Sequence, residues 1–289
     1  MADDPDSTTG IGDQGKLTRR RVLGAATAAT TGLAGISGSA GASGTETSFF
    51  GECSSGWESA PDDYPVVDLR TDEPTIKGEF PWGDDEFVLY VHGWLEKFAS
   101  GARDQGYTLE TALRQNGYEQ PTAAVVWNSN QPVWPLAQRR ADEAGRRLAE
   151  VLDDYLEACP GTTIRTVDHS LGSRVILEAL ATLDGDQVLE NVSLVGGAVN
   201  PDSVCEGTRY GAGIAESANE VYDYHSRNDD IVCDVYALSE GTSGIGCVGS
   251  ECDAVPGDFT DVDVTDSVDA HCNYGKPDVG CVPEIVSNF

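Results

Sequence analysis

The stretch that decides the fold is residues 167–172, which reads Val-Asp-His-Ser-Leu-Gly. It joins the β-branched stretch Thr-Ile-Arg-Thr-Val, residues 163–167, to a segment with apolar residues at helical spacing, residues 171–183. This pattern predicts a strand, a tight turn at Ser170 and a helix. Such a turn can lift the hydroxyl of its middle residue above the carboxyl ends of the strands, close to the first amides of the helix. The alternative role for Ser170 is that of an ordinary helix N-cap.

Buried strands and amphipathic helices alternate along the rest of the chain. This alternation predicts an α/β domain over residues 64–289, with a doubly wound, mostly parallel sheet flanked by helices. Residues 241–260, rich in Gly, Ser, Cys and acids, are predicted to form a solvated surface loop, with a lid over a site as the alternative. The strands are expected at 64–69, 87–91, 123–127, 163–167, 192–195, 221–224 and 261–265, and the helices at 108–116, 135–158 and 171–183.

The N-terminus has the pattern of an export signal. Residues 18–23 read Thr-Arg-Arg-Arg-Val-Leu, and an uncharged stretch of small residues follows to Ala42. Residues 1–42 are therefore predicted to be a cleavable signal that resembles the twin-arginine type, followed by a lead-in segment at 43–63. A retained membrane anchor is the alternative, but Gly, Ala and Thr partition poorly into hydrocarbon. We expect a secreted, extracellular protein with no stable membrane insertion after cleavage.

The chain is strongly acidic, with 49 Asp and Glu against 18 Lys and Arg and a formal net charge of −31. Because the acids are spread along the chain, no basic face can be assembled for nucleic acid or anionic lipid headgroups. A surface of this kind resembles that of proteins from extreme halophiles, in which hydrated carboxylates maintain solubility in concentrated salt.

All eight cysteines follow the predicted signal, and an even number in an exported chain predicts disulfides. Cys247 and Cys252 are a candidate pair that would staple the 241–260 loop, whereas buried free thiols are the alternative at Cys159 and Cys233. The sequence contains no Cys-x-x-Cys, and no histidine adjoins the close pair. We therefore expect no metal, and no cofactor either.

The strand end His92-Gly93-Trp94, the strand ending at Trp127 and the turn at Ser170 follow one another along the chain. In this order they resemble the motifs of the α/β-hydrolase superfamily, especially of its lipase and esterase members. The resemblance covers roughly residues 64–275 and implies an oxyanion hole formed by the amides of Trp94 and Leu171. The sequence departs from the family's Gly-x-Ser-x-Gly at Asp168. We expect this residue to widen the turn slightly and to place a charge that opposes an oxyanion.

The resemblance also implies a base and an acid. Of the four histidines, His169 is expected to point away from Ser170, and His92 is expected to brace its loop. His225 comes too early for the family order, so the base is assigned to His271 in the C-terminal loop. The acid that would orient this base is Asp229, with Asp230 as the second candidate.

Ser170, Asp229 and His271 in this order imply a secreted serine hydrolase that cleaves a small-molecule or lipid ester through an acyl-enzyme. A peptidase or other acyl hydrolase on the same fold is one alternative. A non-catalytic extracellular binding protein is the other.

Overall fold

The computed structural model describes residues 53, 56–96, 99–183 and 187–289. The predicted signal and most of the lead-in lie outside these residues. Among the helices of the described ranges, none is long and apolar enough to cross a membrane. The strands are β1 (Val66–Asp68), β2 (Thr75–Lys77), β3 (Glu86–Val91), β4 (Thr122–Val126), β5 (Thr163–His169), β6 (Asn191–Val195), β7 (Val221–His225) and β8 (Phe259–Asp263). The helices are α1 (Ala99–Gln115), α2 (Trp134–Ala158), α3 (Gly172–Leu180), α4 (Arg209–Ser217), α5 (Tyr236–Glu240), α6 (Ile245–Val248) and α7 (Val282–Ser287), with a π-helical turn at Ile231–Val235.

The eight strands form one sheet in the order β2-β1-β4-β3-β5-β6-β7-β8. Strand β2 pairs with β1 in antiparallel fashion at the edge, and the other pairings are parallel. Strand β5 leads into the tight turn at Ser170, which we call the elbow. It lies at the centre of the sheet, with β3 on one side and β6 on the other. This is the mostly parallel sheet of an α/β-hydrolase fold, as the sequence predicts.

Helices cover both faces of the sheet, and each face has its own apolar core. On one face, α2, α3 and α4 pack over side chains such as Leu89 and Leu194. On the other face, α1 and α7 pack over side chains such as Val88 and Val167. Strands β3 and β4 are buried on both sides, which explains why they read as nearly continuous apolar runs in the sequence.

Helix α2 shows how closely the outer layer packs. It buries Ala137, Ala141 and Ala144 on the face that meets the sheet and α3. A Cβ on Gly145 would lie 2.5 Å from the Cβ of Glu178 on α3, so this helix pair depends on a residue without a side chain. Small residues along α2 thus allow α3, and with it the elbow, to pack tightly.

The 241–260 segment is more ordered than expected. It contains α6, which lies against β7, and two disulfides fix it: Cys233–Cys247 and Cys205–Cys252. The predicted pairing of Cys247 with Cys252 is therefore wrong, and so is the free-thiol alternative for Cys233. Cys159 and Cys281 are free thiols.

The third disulfide joins the lead-in to the C-terminal part of the fold. It links Cys53 to Cys272, the residue that follows His271. Nearby, the ammonium of Lys276 lies 4.9 Å from the centre of the Trp57 ring. The described part of the lead-in is therefore attached to the loop that carries the predicted base.

Candidate active site

The elbow bends sharply at Ser170, which has a φ of 57°. Residues with a Cβ rarely adopt this left-handed conformation, and they persist in it only when the surroundings impose it. Here the Ser170 amide donates to the carbonyl of Val195, and the Ser170 carbonyl accepts from the amide of Ala198, both at 3.0 Å. Leu171 occupies the N-cap position of α3, so the N-cap alternative for Ser170 is wrong.

Two glycines allow the end of β3 to approach this turn. A Cβ on Gly172 would lie 2.4 Å from the carbonyl oxygen of Val91, and one on Gly93 would lie 2.8 Å from the Cβ of Ser170. Both distances are shorter than van der Waals contact allows. Gly93 of the His-Gly-Trp motif and Gly172 after Ser170 are thus both needed for the close approach of β3 to the elbow.

The structure brings Ser170, His271 and Asp229 together in one hydrogen-bonded chain. The Nε2 of His271 lies 2.9 Å from the Oγ of Ser170, and its Nδ1 lies 2.7 Å from the Oδ2 of Asp229. All three side chains are buried. Asp230, the second candidate for the acid, is exposed.

Asp229 is held as an oriented carboxylate. Its Oδ1 accepts from the amides of Ile231 and Val232 at 3.1 and 3.2 Å, and Oδ2 accepts from the Tyr274 hydroxyl at 3.1 Å. Burial alone would raise the pKa of Asp229, but the charge and hydrogen bond of His271 outweigh it and hold the pKa below its usual range. The acid therefore remains ionised beside the imidazole.

Of the two residues predicted to supply the oxyanion hole, Leu171 follows Ser170 directly and Trp94 lines the cleft at Ser170. Leu171 is the N-cap residue of α3, so its amide lies at the positive end of the helix. Trp94 follows Gly93 and is held in place because its indole N–H donates to the carbonyl of Gln131 at 2.7 Å. The adjacent Leu95 has a positive φ of 62°, which turns the chain sharply behind Trp94.

His92 braces the turn, as expected. Its Nε2 accepts from the Trp127 amide at 3.3 Å, so Nδ1 carries the proton and donates to the carbonyl of Gly93 at 2.9 Å. The ring stacks on that of Trp127 with 5.5 Å between centroids. Because the ring is fully buried, its pKa is lowered to about 4, and it is neutral at pH 7.

His169 has a role that the sequence did not reveal. It lies against His271, with 4.6 Å between the ring centroids, and its Nε2 is 2.8 Å from the carbonyl oxygen of His271. Burial, and secondarily the neighbouring His271, lower the pKa of His169 to about 3. The neutral ring can therefore donate to that carbonyl and hold the backbone of the predicted base.

Asp168 is fully buried and accepts a hydrogen bond of 2.5 Å from the Thr166 hydroxyl. Burial raises the pKa of Asp168 well above its usual range and so opposes the charge that the sequence led us to expect. The close approach at Gly172 is retained despite this aspartate.

Two clefts meet at Ser170. One, of about 390 Å³ counted with its open mouth, runs between the 93–96 turn and His271. The other, of about 330 Å³, is a trough with mostly apolar walls. We call the second cleft the apolar trough; its walls include Trp134, Ala198, Val232, Val235 and Tyr236. The π-helical turn and α5 form the floor of this trough. The sequence did not reveal these two elements, although the apolar residues at 231, 232, 235 and 236 are typical of a buried face.

Comparison with known proteins gives a family and a distant relative. A family model described as "Protein of unknown function (DUF726)" matches residues 122–284, more than half of the chain. The protein STS1 of Oryza sativa subsp. japonica, named as transmembrane and coiled-coil domain-containing, is 34% identical over 145 residues. That match covers 49% of this chain and 21% of the relative, so the chain spans about a fifth of the relative's length.

Solved structures with a related architecture have low sequence identity to this chain. The ydeN gene product of B. subtilis is 19% identical, with a TM-score of 0.42, over 70% of this chain and 97% of that one. The catalytic core of acetyl xylan esterase from Trichoderma reesei is 11% identical, with a TM-score of 0.44, over 71% and 98%. The fold assignment rests on the sheet order and the elbow, not on these likenesses.

The two buried histidines predict a pH dependence of stability. Their folded pKa values of about 4 (His92) and about 3 (His169) lie below the ordinary 6.5 of an unfolded chain. Between pH 6.5 and about 4 the unfolded chain therefore binds more protons, and the free energy of unfolding falls as the pH falls. The expected slope is up to about 1.4 kcal/mol per pH unit for each ring. Chemical denaturation at a series of pH values measures it; His92→Gln should reduce the slope by up to about 1.4 kcal/mol per pH unit, and an equal slope in both proteins would contradict the prediction.

Proposed function

The chain belongs to the DUF726 family of proteins of unknown function, and from that premise we propose that it is a serine hydrolase that cleaves carboxylic esters. The observation that carries the proposal is the hydrogen-bonded chain from Ser170 through His271 to Asp229 at a strained elbow. A serine hydroxyl is a poor nucleophile without a base, and this geometry supplies an oriented base to a hydroxyl that faces a cleft.

The proposed reaction has two steps. Ser170 Oγ attacks the ester carbonyl while its proton passes to His271 Nε2, and Asp229 stabilises the imidazolium. The amides of Trp94 and Leu171 receive the oxyanion. The tetrahedral intermediate collapses to an acyl-enzyme as His271 returns the proton to the departing alkoxide. Water then attacks the acyl-enzyme with the same proton transfers, which releases the acid and restores Ser170.

One feature favours an ester with an apolar acyl group. Ser170 lines the apolar trough, so an acyl chain bound there has an apolar surface to occupy.

The burial of Asp168 bears on the non-catalytic alternative. Burial raises the pKa of this residue and so opposes the buried charge that would disfavour an oxyanion.

Covalent labelling tests the nucleophile. A fluorophosphonate should label the parent at Ser170, and Ser170→Ala should lose the label and roughly 10³–10⁶-fold of the activity on p-nitrophenyl esters. Ser287→Ala, an exposed serine on α7, is the control and should behave as the parent. A folded parent that takes no label in concentrated salt would refute the catalytic proposal. Labelling without hydrolysis of any ester would point instead to a peptidase or another acyl hydrolase.

Blocking the apolar trough tests the acyl group. Val235→Trp would fill the trough and should lower kcat/KM for a p-nitrophenyl ester of a medium-chain acid at least about tenfold relative to the acetate. Leu238→Trp is the matched control, because Leu238 is 84% exposed and does not line the trough. An equal loss on both esters would show that the acyl chain binds elsewhere.

We further propose export by the twin-arginine route into a salt-rich exterior. The three disulfides of the described residues favour an oxidising compartment, and the net charge of −31 favours concentrated salt. Replacing Arg19 and Arg20 together by Lys should abolish appearance of the protein in the medium, whereas Arg21→Lys should not. Normal secretion of the double variant would exclude this route.

A further inference from the structure

Strands β7 and β8 place three potential metal ligands side by side, outside the candidate active site. Asp223 and His225 are two residues apart on β7, so their side chains lie on the same face of the sheet. Asp261 on β8 is the register partner of Asp223. One ligand atom from each of these three side chains lies within 4.8 Å of the other two.

The burial of Asp223 and of the Nδ1 of His225 is not compensated by hydrogen bonds. Within the described residues, both carboxylate oxygens of Asp223 and the Nδ1 of His225 are buried and have no hydrogen-bond partner. The Nδ1 of His225 and the Oδ2 of Asp223 are 3.7 Å apart, too far for a hydrogen bond. Buried polar atoms without partners are rare in folded proteins, and three of them in one place point to a missing ligand.

The third member, Asp261, is exposed but fixed. Its Oδ1 accepts from the Ser250 amide at 2.9 Å, and its Oδ2 accepts from the Ser250 hydroxyl at 2.5 Å. Each carboxylate oxygen can accept a second interaction, so Asp261 retains the capacity to bind a cation. Gly249 lies against it: a Cβ there would be 3.0 Å from the Oδ1 of Asp261 and 3.3 Å from the Cε1 of His225.

We propose that Asp223, His225 and Asp261 bind a divalent transition-metal ion, and that zinc fits the site best. An imidazole nitrogen with two carboxylates is a donor set that zinc accepts, and zinc commonly takes three protein ligands with water in the fourth position. Asp261 is exposed, so water can reach that position. Zinc–ligand bonds of about 2.0–2.2 Å require the three donor atoms to move inward by roughly 1 Å or less.

The ion would stabilise the part of the fold from which the proposed base and acid arise. Asp229 follows the end of β7 by four residues, and His271 follows the end of β8 by eight. The two loops are already in contact, because the Ser226 hydroxyl donates to the carbonyl of Val268 at 2.6 Å. A cation between β7 and β8 would fix the strand ends to each other. Its role is structural, since its ligands lie outside the clefts at Ser170.

Metal content and thermal unfolding test the proposal without any activity measurement. Protein treated with EDTA and then dialysed in concentrated KCl should bind about one zinc ion per chain, because the salt screens loose binding to the acidic surface. Saturating zinc should raise Tm by roughly 5–10 °C. Calcium and magnesium should have little effect, and a larger shift with calcium than with zinc would overturn the transition-metal assignment.

Three variants separate this site from the acidic surface. Asp223→Asn and Asp261→Asn should each abolish the zinc shift, whereas Asp266→Asn, which removes one exposed carboxylate outside the cluster, should retain it. If Asp223→Asn does not fold, Asp261→Asn decides, because its side chain is exposed. Equal zinc shifts in the parent and Asp261→Asn would mean adventitious surface binding and overturn the proposal. The proposal is also overturned if Asp223→Asn is as stable as the parent and neither EDTA nor zinc changes the Tm of the parent. That result would indicate that the Asp223 carboxyl is protonated and binds no ion.

Discussion

The left-handed conformation of Ser170 is the constraint on which the rest of the site depends. A residue with a Cβ pays a steric cost at a φ of 57°, and the surrounding backbone must hold it there. The hydrogen bonds to Val195 and Ala198 provide that hold from β6 and the loop after it, and Gly172 lets β3 close from the other side. The hydroxyl is therefore positioned by three neighbouring strands, so its location depends on the packing of the central sheet.

The imidazole that meets this hydroxyl is positioned in a comparable way. Asp229 holds the Nδ1 side of His271, and the neutral ring of His169 lies within hydrogen-bond distance of its carbonyl. Burial lowers the pKa of His169 and raises the pKa of Asp168, so in both residues it opposes a charge near Ser170. The Asp229 carboxylate holds the imidazole through the 2.7 Å hydrogen bond to its Nδ1.

The elbow, the central strands and the three residues of the hydrogen-bonded chain were predictable because each has a strong local signal. Strands β3 and β4 read as apolar runs, and a serine between a strand and a helix after a His-Gly motif has few structural explanations. The complete burial of Asp168, which raises its pKa, was not predictable, since it depends on the tertiary packing around the elbow. The contact between His169 and His271 links residues 102 positions apart, and no local pattern encodes it.

The candidate metal site on β7 and β8 shows most clearly that contacts between residues distant in sequence cannot be predicted from a local pattern. Asp223, His225 and Asp261 are unremarkable in a chain with 49 acidic residues, and only the parallel register of the two strands makes them neighbours. The same register sets the two loops that carry Asp229 and His271 beside each other, and the disulfides at Cys233 and Cys272 attach those loops to α6 and to the lead-in. Asp229 lies in the short connection between β7 and the π-helical turn, whereas His271 lies on the long connection between β8 and α7, whose conformational freedom would blur a distance of 2.7 Å unless something removed it. Cross-links on either side of the pair remove that freedom.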